Sequence, residues 1–329
     1  MREKDSTRDK EILRLHINPQ IGLRRLTTIT LGDAEKVMAS LPKDYAPRSR
    51  KLVAQCMRKV LSYAVYPGRH LSQNPIPREW MPRIPKSANK AKSYLYPEED
   101  AALMKCSRIP IERRITYGIL MREGMRAGEL SSLRWRDVDL KRGVVKLDEN
   151  KTDDPRVWAL SWDVVAALKW WRDEQGGEDD DLVIGLDLRD GAWWLRGDDA
   201  YDATKPESST NNPGDLRRAR VDRAELWERS KSRQPIRLHD LRATFVTVSL
   251  ADGKPETWVT DRTGHRSSQM LALYTRQART WRELDLGTFG PLHKLVPEMK
   301  RHPKGTERSR LRDLNSRPTV YETVALPLS

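Results

Sequence analysis

Two arginines, two histidines and one tyrosine stand in three short runs of this chain: Gly124-Met125-Arg126-Ala127-Gly128-Glu129-Leu130, His239-Asp240-Leu241-Arg242, and Thr263-Gly264-His265 running on to Tyr274. Together they are the equipment for breaking a phosphodiester through a protein-bound phosphate. The charge on a phosphodiester repels nucleophiles, so a catalyst must first neutralise the nonbridging oxygens, and planar guanidinium forks do this with fixed geometry. Arg126 and Arg242 are the candidate clamps. A phenol, with a pKa of about 10, is a modest nucleophile, so Tyr274 needs a positive surround and a nearby proton acceptor. Taken singly, each piece has a plainer reading. Arg126 and Glu129, three residues apart, could be a surface ion pair, His239 and Arg242 would share one face of any helix, and a lone tyrosine usually packs.

The elements that must carry these residues follow from local pattern. Thr30-Leu31-Gly32-Asp33 has the form of a capping box and predicts a helix to about Leu41, closed by Pro42. Residues 47 to 66 place Leu52, Val53, Cys56, Met57, Val60, Leu61 and Ala64 on one helical stripe. Arg48, Lys51, Arg58 and Lys59 fall largely off it, so the helix can pack with one side and touch phosphates with the other. Asn74-Pro75-Ile76-Pro77 opens a stretch to residue 94 in which prolines and the cations Lys86, Lys90 and Lys92 predict a basic linker without regular structure. Pro97 followed by Glu98, Glu99 and Asp100 suits a new helix start. Residues 111 to 135 read as one or two helices broken at Gly124. Short β-prone runs at 144–147 and 156–160 flank a polar hairpin connection, 148–154. Helices return at 162–173, 214–229 and 239–250, and residues 176–213 read as an acidic, irregular loop or insertion.

Composition bounds the function classes. A chain of 329 residues predicts two domains. No apolar run approaches the roughly 18 residues of a membrane span, and no secretory signal follows Met1, so a cytoplasmic protein is expected. Cys56 and Cys106 have no metal-ligand spacing and read as reduced core thiols. The net charge of +14 is uneven. Residues 1–95 hold 20 Lys and Arg against 8 Asp and Glu, and residues 96–285 hold 33 against 35. A basic module joined to a near-neutral one is what a polyanion-gripping domain attached to a domain with another task would look like. No P-loop, Gly-x-Gly-x-x-Gly or His-Glu-x-x-His occurs, so ATP use and zinc hydrolysis lack support.

The conjunction of motifs resembles the tyrosine recombinase, or phage integrase, family. The resemblance rests on Gly124-x-Arg126-x-x-Glu129-Leu130-x-x-Leu133-x-Trp135-x-Asp137-Val138-Asp139, then Lys151, then His239-x-Leu241-Arg242-x-Thr244-Phe245, then Gly264-His265-x-Ser267 and Tyr274. It extends to His16-Ile17-Asn18-Pro19-x-Ile21-Gly22, Tyr63-Ala64 and Asn74-Pro75, and covers about residues 10 to 285. It implies a mainly α fold with a small antiparallel β-sheet: a helical core-type DNA-binding (SAM-like) domain over 1–76, a basic linker over 77–95, a catalytic domain over 96–286, and a C-terminal helix with a disordered tail over 287–329.

The resemblance also implies roles. Tyr274 is the nucleophile, Arg126 and Arg242 hold the phosphate, His239 is the base-like partner, His265 donates a hydrogen bond to the phosphate, and Lys151 on the hairpin protonates the leaving 5′ oxygen. Glu129 supports the Arg126 segment and Asp240 orients its neighbours. The expected partner is double-stranded DNA at core attachment sites, bound by a homo-oligomer, a tetramer on synapsed DNA, with a directionality factor or host bending protein as further partners; no cofactor, metal or membrane enters. Residues 287–299 are expected to form a terminal helix that docks on a neighbouring subunit. Many members carry an N-terminal arm-binding domain that is lacking here, so a simple recombinase or a truncated start is expected. The tail after Gly305 resembles peptides read from the opposite strand of a transfer RNA gene. Two other readings stay open: a catalytically silent DNA-binding relative, and a type IB topoisomerase.

Overall fold

A computed structural model of the chain describes residues 3–85, 93–148, 155–188, 191–230, 232–265 and 268–300. It divides into two compact units, Met1–Lys90 and Ala91–Ser329. Lys86, Lys90, Lys92, Lys151 and the tail after residue 300 lie outside the described residues. No described helix is long and apolar enough to cross a membrane.

In the first unit, helix α1 (Glu3–Ile12) runs through a π turn (Leu13–Ile17) into the short α2 (Asn18–Ile21), followed by α3 (Leu31–Ser40) and α4 (Pro47–Val65). Helix α3 starts where its capping signal sits: the Thr30 N–H and hydroxyl both donate to Asp33 Oδ2 at 3.0 Å. The stripe expected on α4 is its packed face. Val53, Cys56, Met57, Leu61 and Ala64 are buried, with Leu52 and Val60 half-buried. Val53, Cys56, Met57 and Leu61 meet Ile17, Ile21, Val37, Met38 and Ile76 in one core, where a fully buried aliphatic side chain contributes about 1.5–3 kcal/mol. The segment read as linker is packed at both ends. Trp80 and Met81 join this core, while Ser93 and Leu95 are buried in the second unit, the Leu95 N–H donating to Thr244 Oγ1 at 3.2 Å.

The second unit begins with α5 (Pro97–Lys105), α6 (Ile111–Glu123) and α7 (Ala127–Ser132). Strands β1 (Val138–Asp139), β2 (Val144–Leu147) and β3 (Arg156–Ala159) form an antiparallel sheet in that order, with Leu147 opposite Arg156. After the sheet come α8 (Trp162–Gln175), α9 (Gly191–Arg196), α10 (Gly214–Arg218), α11 (Leu238–Ala251), α12 (Glu256–Thr263), α13 (Ser268–Glu283) and α14 (Leu292–Leu295). Helix α11 is buried almost all round and packs between α6 and α13. It is therefore the post to which residues from distant parts of the chain are referred.

Two sequence expectations are corrected by packing. Residues 214–229 are not one helix: α10 stops after five residues because Arg220 turns to φ 60, which brings the Val221 N–H onto Leu216 O at 2.9 Å and buries Val221. The loop 176–213 contains α9, whose Leu195 is fully buried. Residues 287–299 hold the short α14 and a final 3-10 turn, Pro297–Lys300. Leu292 packs so closely on Gly118 that a Cβ there would lie 2.4 Å from its Cδ1. The Leu292 N–H donates to Asp163 Oδ2 at 2.8 Å, and Glu298 accepts from the buried Arg114 at 2.9 Å. Here the segment packs on its own chain.

Candidate active site

Several candidates are delivered by the ends of elements. Helix α6 terminates at Gly124 in the left-handed region, φ 66. Only glycine fits there, because a Cβ would stand 2.3 Å from the Phe245 ring. The turn aims the Gly124 carbonyl at α11 and places Arg126 as the residue before α7. Glu129, at the third position of α7, accepts the Arg126 N–H through Oε2 at 2.8 Å, and its Oε1 accepts from Arg126 Nη1 at 2.5 Å. The pair is a cap as well as an ion pair.

On α11, Arg242 is 3% exposed. Its Nη1 donates to Gly124 O at 2.6 Å and its Nη2 to Thr263 O. It therefore ties the end of α6 to the end of α12 with two of the guanidinium's five N–H groups. Helix α12 ends in a second left-handed glycine, Gly264, φ 60. The turn presents His265, whose Nδ1 lies 2.9 Å from the Thr263 hydroxyl. Tyr274 is 4% exposed on α13, packed with Phe245, Val246 and Leu271, its ring centroid 6.2 Å from that of His265. His239 is exposed in the first turn of α11, three residues from Arg242 and so on the same side.

Two residues that sequence reasoning passed over belong to the same place. Arg156 opens β3 and is buried; its Nη2 donates to Glu129 Oε1 at 2.5 Å and its Nη1 to the Arg262 carbonyl. A period-two signal was available, since Arg156 and Trp158 share the inward face of β3. Arg237 precedes α11 and forks onto the fully buried Asp240, Nη2 to Oδ1 at 2.9 Å and Nε to Oδ2 at 3.1 Å. No motif pointed to it.

The charges explain what the site can hold. Burial favours a proton on Glu129, but the Arg126 N–H and the Arg156 and Arg126 guanidiniums outweigh it and hold the carboxyl below its ordinary range. Burial, and next the charge of Arg126, push Arg242 down to about 9. The fork onto Asp240 outweighs burial and raises Arg237, and Tyr274 acts electrostatically on both Arg237 and Arg242. Arg126, Arg156 and Arg242 thus share Glu129 as their carboxylate. Such an excess of fixed guanidinium in a mostly buried site is complementary to an anion with several oxygens.

In the first unit, Lys51, Arg58 and Lys59 line a concave surface of about 650 Å³ together with Gln55, Tyr63 and Tyr66. Arg48 is exposed one turn earlier on α4. Arg58 and Lys59 are also committed internally, Arg58 Nε to Ile76 O at 3.2 Å and Lys59 Nζ to Asp9 Oδ2 at 2.7 Å.

Comparison with known proteins follows the same lines. The phage integrase family model matches residues 93–280, more than half of the chain. Tyrosine recombinase XerC of Xanthomonas axonopodis pv. citri (strain 306) is 30% identical over 105 residues, which is 31% of this chain and 34% of that protein. The chain spans about a third of the length of the curated relatives it matches. A lambda integrase dimer bound to a COC′ core site superposes with a TM-score of 0.57 at 17% identity, covering 84% of this chain and 72% of that one. A lambda integrase tetramer bound to a Holliday junction gives 0.57 at 15% identity, covering 84% and 73%. At such identities the likeness is one of fold, and it includes the mainly helical architecture with a small antiparallel sheet. By the family model over residues 93–280, the chain belongs to the phage integrase family.

Proposed function

We propose that the protein is a site-specific DNA recombinase of a phage or mobile element that cuts and rejoins DNA through a 3′-phosphotyrosyl intermediate. The reading is carried by one observation: Arg126, Arg242, His265 and Tyr274, spread over about half of the chain, lie in one neighbourhood with more guanidinium than carboxylate. A scissile phosphate bound there would have its nonbridging oxygens held by Arg126 and Arg242 and receive a hydrogen bond from His265. The Tyr274 oxygen attacks phosphorus and the bond to the 5′ oxygen breaks. The phenolic proton passes to His239, and Lys151, outside the described residues, protonates the departing 5′ oxygen, which leaves as a hydroxyl. The bond energy is kept in the phosphotyrosine, so attack by another 5′ hydroxyl rejoins the strands without ATP.

Double-stranded DNA at core sites is the proposed substrate. Arg48, Lys51, Arg58 and Lys59 on α4, with Lys86, Lys90 and Lys92, would grip its backbone. The proposed working form is a tetramer on synapsed DNA, with a directionality factor or host bending protein as accessory. Residues 287–299 would be the segment that docks on a neighbouring subunit.

The test is incubation with a library of nicked half-sites, scoring covalent protein–DNA complexes for the native chain and for Tyr274→Phe. Loss of the adduct with retained binding is expected. An equally abundant adduct from the variant reassigns the nucleophile, and binding without any adduct from the native chain favours the silent DNA-binding relative. Relaxation of a supercoiled plasmid lacking target sites would instead favour the topoisomerase.

A further inference from the structure

The Glu129 carboxylate sits where it competes with a phosphate. Its Oε1 accepts from Arg126 Nη1 at 2.5 Å and from Arg156 Nη2 at 2.5 Å, one oxygen shared by two guanidiniums. If Arg126 is to turn its fork onto a phosphate, it must give up that oxygen, and an unpaired carboxylate in a site only 5% exposed would draw it back. Arg156 differs from Arg126 in having nowhere to go. It is 5% exposed, whereas Arg126 is 24% exposed. Its Nη1 is bonded to Arg262 O, its Cζ and Nε lie against the Gly264 turn, where a Cβ would be 3.4 Å away, and its buried Nε has no hydrogen-bond partner among the described residues. A donor left unsatisfied costs about 1–3 kcal/mol, so this side chain is held by its surroundings against a local penalty.

We infer that Arg156 is a positioning residue for the phosphate site: it is the fixed counter-charge of Glu129, and by keeping that carboxylate satisfied it releases Arg126 to the substrate. The inference rests on the recombinase reading in taking the ligand to be a phosphodiester. Glu129 then has two duties in sequence. In the empty site it holds Arg126 in place, and in the occupied site Arg156 is the guanidinium that stays hydrogen-bonded to it.

The test is the effect of R156M measured in two backgrounds. In the native background R156M should lower half-site cleavage by about tenfold or more, because Glu129 captures Arg126. In the E129Q background, where no carboxylate competes, the same substitution should change the rate by no more than about threefold. A merely structural arginine predicts the reverse, with E129Q/R156M as impaired as R156M or worse, and that result overturns the inference. If R156M alone does not fold, comparison of E129Q with E129Q/R156M still decides it, a loss of tenfold between them being the refuting outcome. The same pairs are read by stabilisation of the fold with millimolar inorganic phosphate, which needs no cleavage. A native chain that forms no adduct would sink the recombinase reading, while the phosphate cycle would still confirm or refute the Arg156–Glu129 relation.

Discussion

Two glycines flank Arg126, and they should respond oppositely to the same substitution. In Gly124→Ala the new methyl meets two independent penalties. The backbone is left-handed, φ 66, where a residue with a Cβ costs roughly 1–2 kcal/mol. The methyl would also stand 2.3 Å from Phe245 Cδ1, and that ring cannot withdraw freely: it is 2% exposed and stacked on Trp258, itself covered by Arg262 at 3.6 Å. Overpacking of that kind costs about 1–3 kcal/mol. The sum is about 2–5 kcal/mol, which for a unit of this size lowers the melting temperature by roughly 4 to 20 °C. Because the Gly124 carbonyl also fixes Arg242, a shift of the turn should slow cleavage by on the order of tenfold or more even where the fold survives. Gly128, by contrast, lies exposed inside α7 with nothing within 4 Å of a Cβ, so Gly128→Ala should be neutral or stabilise by up to about 1 kcal/mol. Chemical denaturation of the two variants, followed by adduct formation on half-sites, is the assay. A Gly124→Ala protein within about 1 kcal/mol of the native chain would refute the packing argument. Adding Phe245→Leu should recover the steric part and leave the backbone part.

Further outcomes follow from the same geometry. Arg242→Ala should lower cleavage by on the order of 10² or more and also destabilise the fold, since the Gly124 and Thr263 carbonyls lose their donor; near-normal turnover would count against the clamp. Burial and Arg126 hold Arg242 at about 9, below its ordinary arginine value, so the folded state bears the cost of that charge below about pH 9 and is relieved of it as pH rises further. Phosphate-induced stabilisation should therefore be full near neutrality and fade above about pH 9, and a phosphate effect that keeps growing through that range would be inconsistent. Removing Arg48 and Lys51 together should weaken half-site binding evenly across sequences and reduce the slope against log salt by about 2; an unchanged slope would take α4 off the DNA.

The sequence determined what depends on neighbours within a turn or two. The capping of α3 by Thr30 and Asp33, the packed stripe of α4, the break at Gly124, the strands at 144–147 and 156–159 and the placing of His239 and Arg242 on one helix start are all local, and all were legible. So was the family, because its motifs keep order and spacing along the chain. Tertiary structure decided the rest. Helix α10 stops early because burying Val221 outweighs helix propensity, and residues 287–299 turn back because Leu292 has a notch over Gly118 to fill. Arg156 reads from sequence as the edge of a hairpin, yet it shares a carboxylate with Arg126, thirty residues earlier. Contacts between residues tens to hundreds of positions apart are set by how helices and sheet pack, and no pattern of a few residues encodes them.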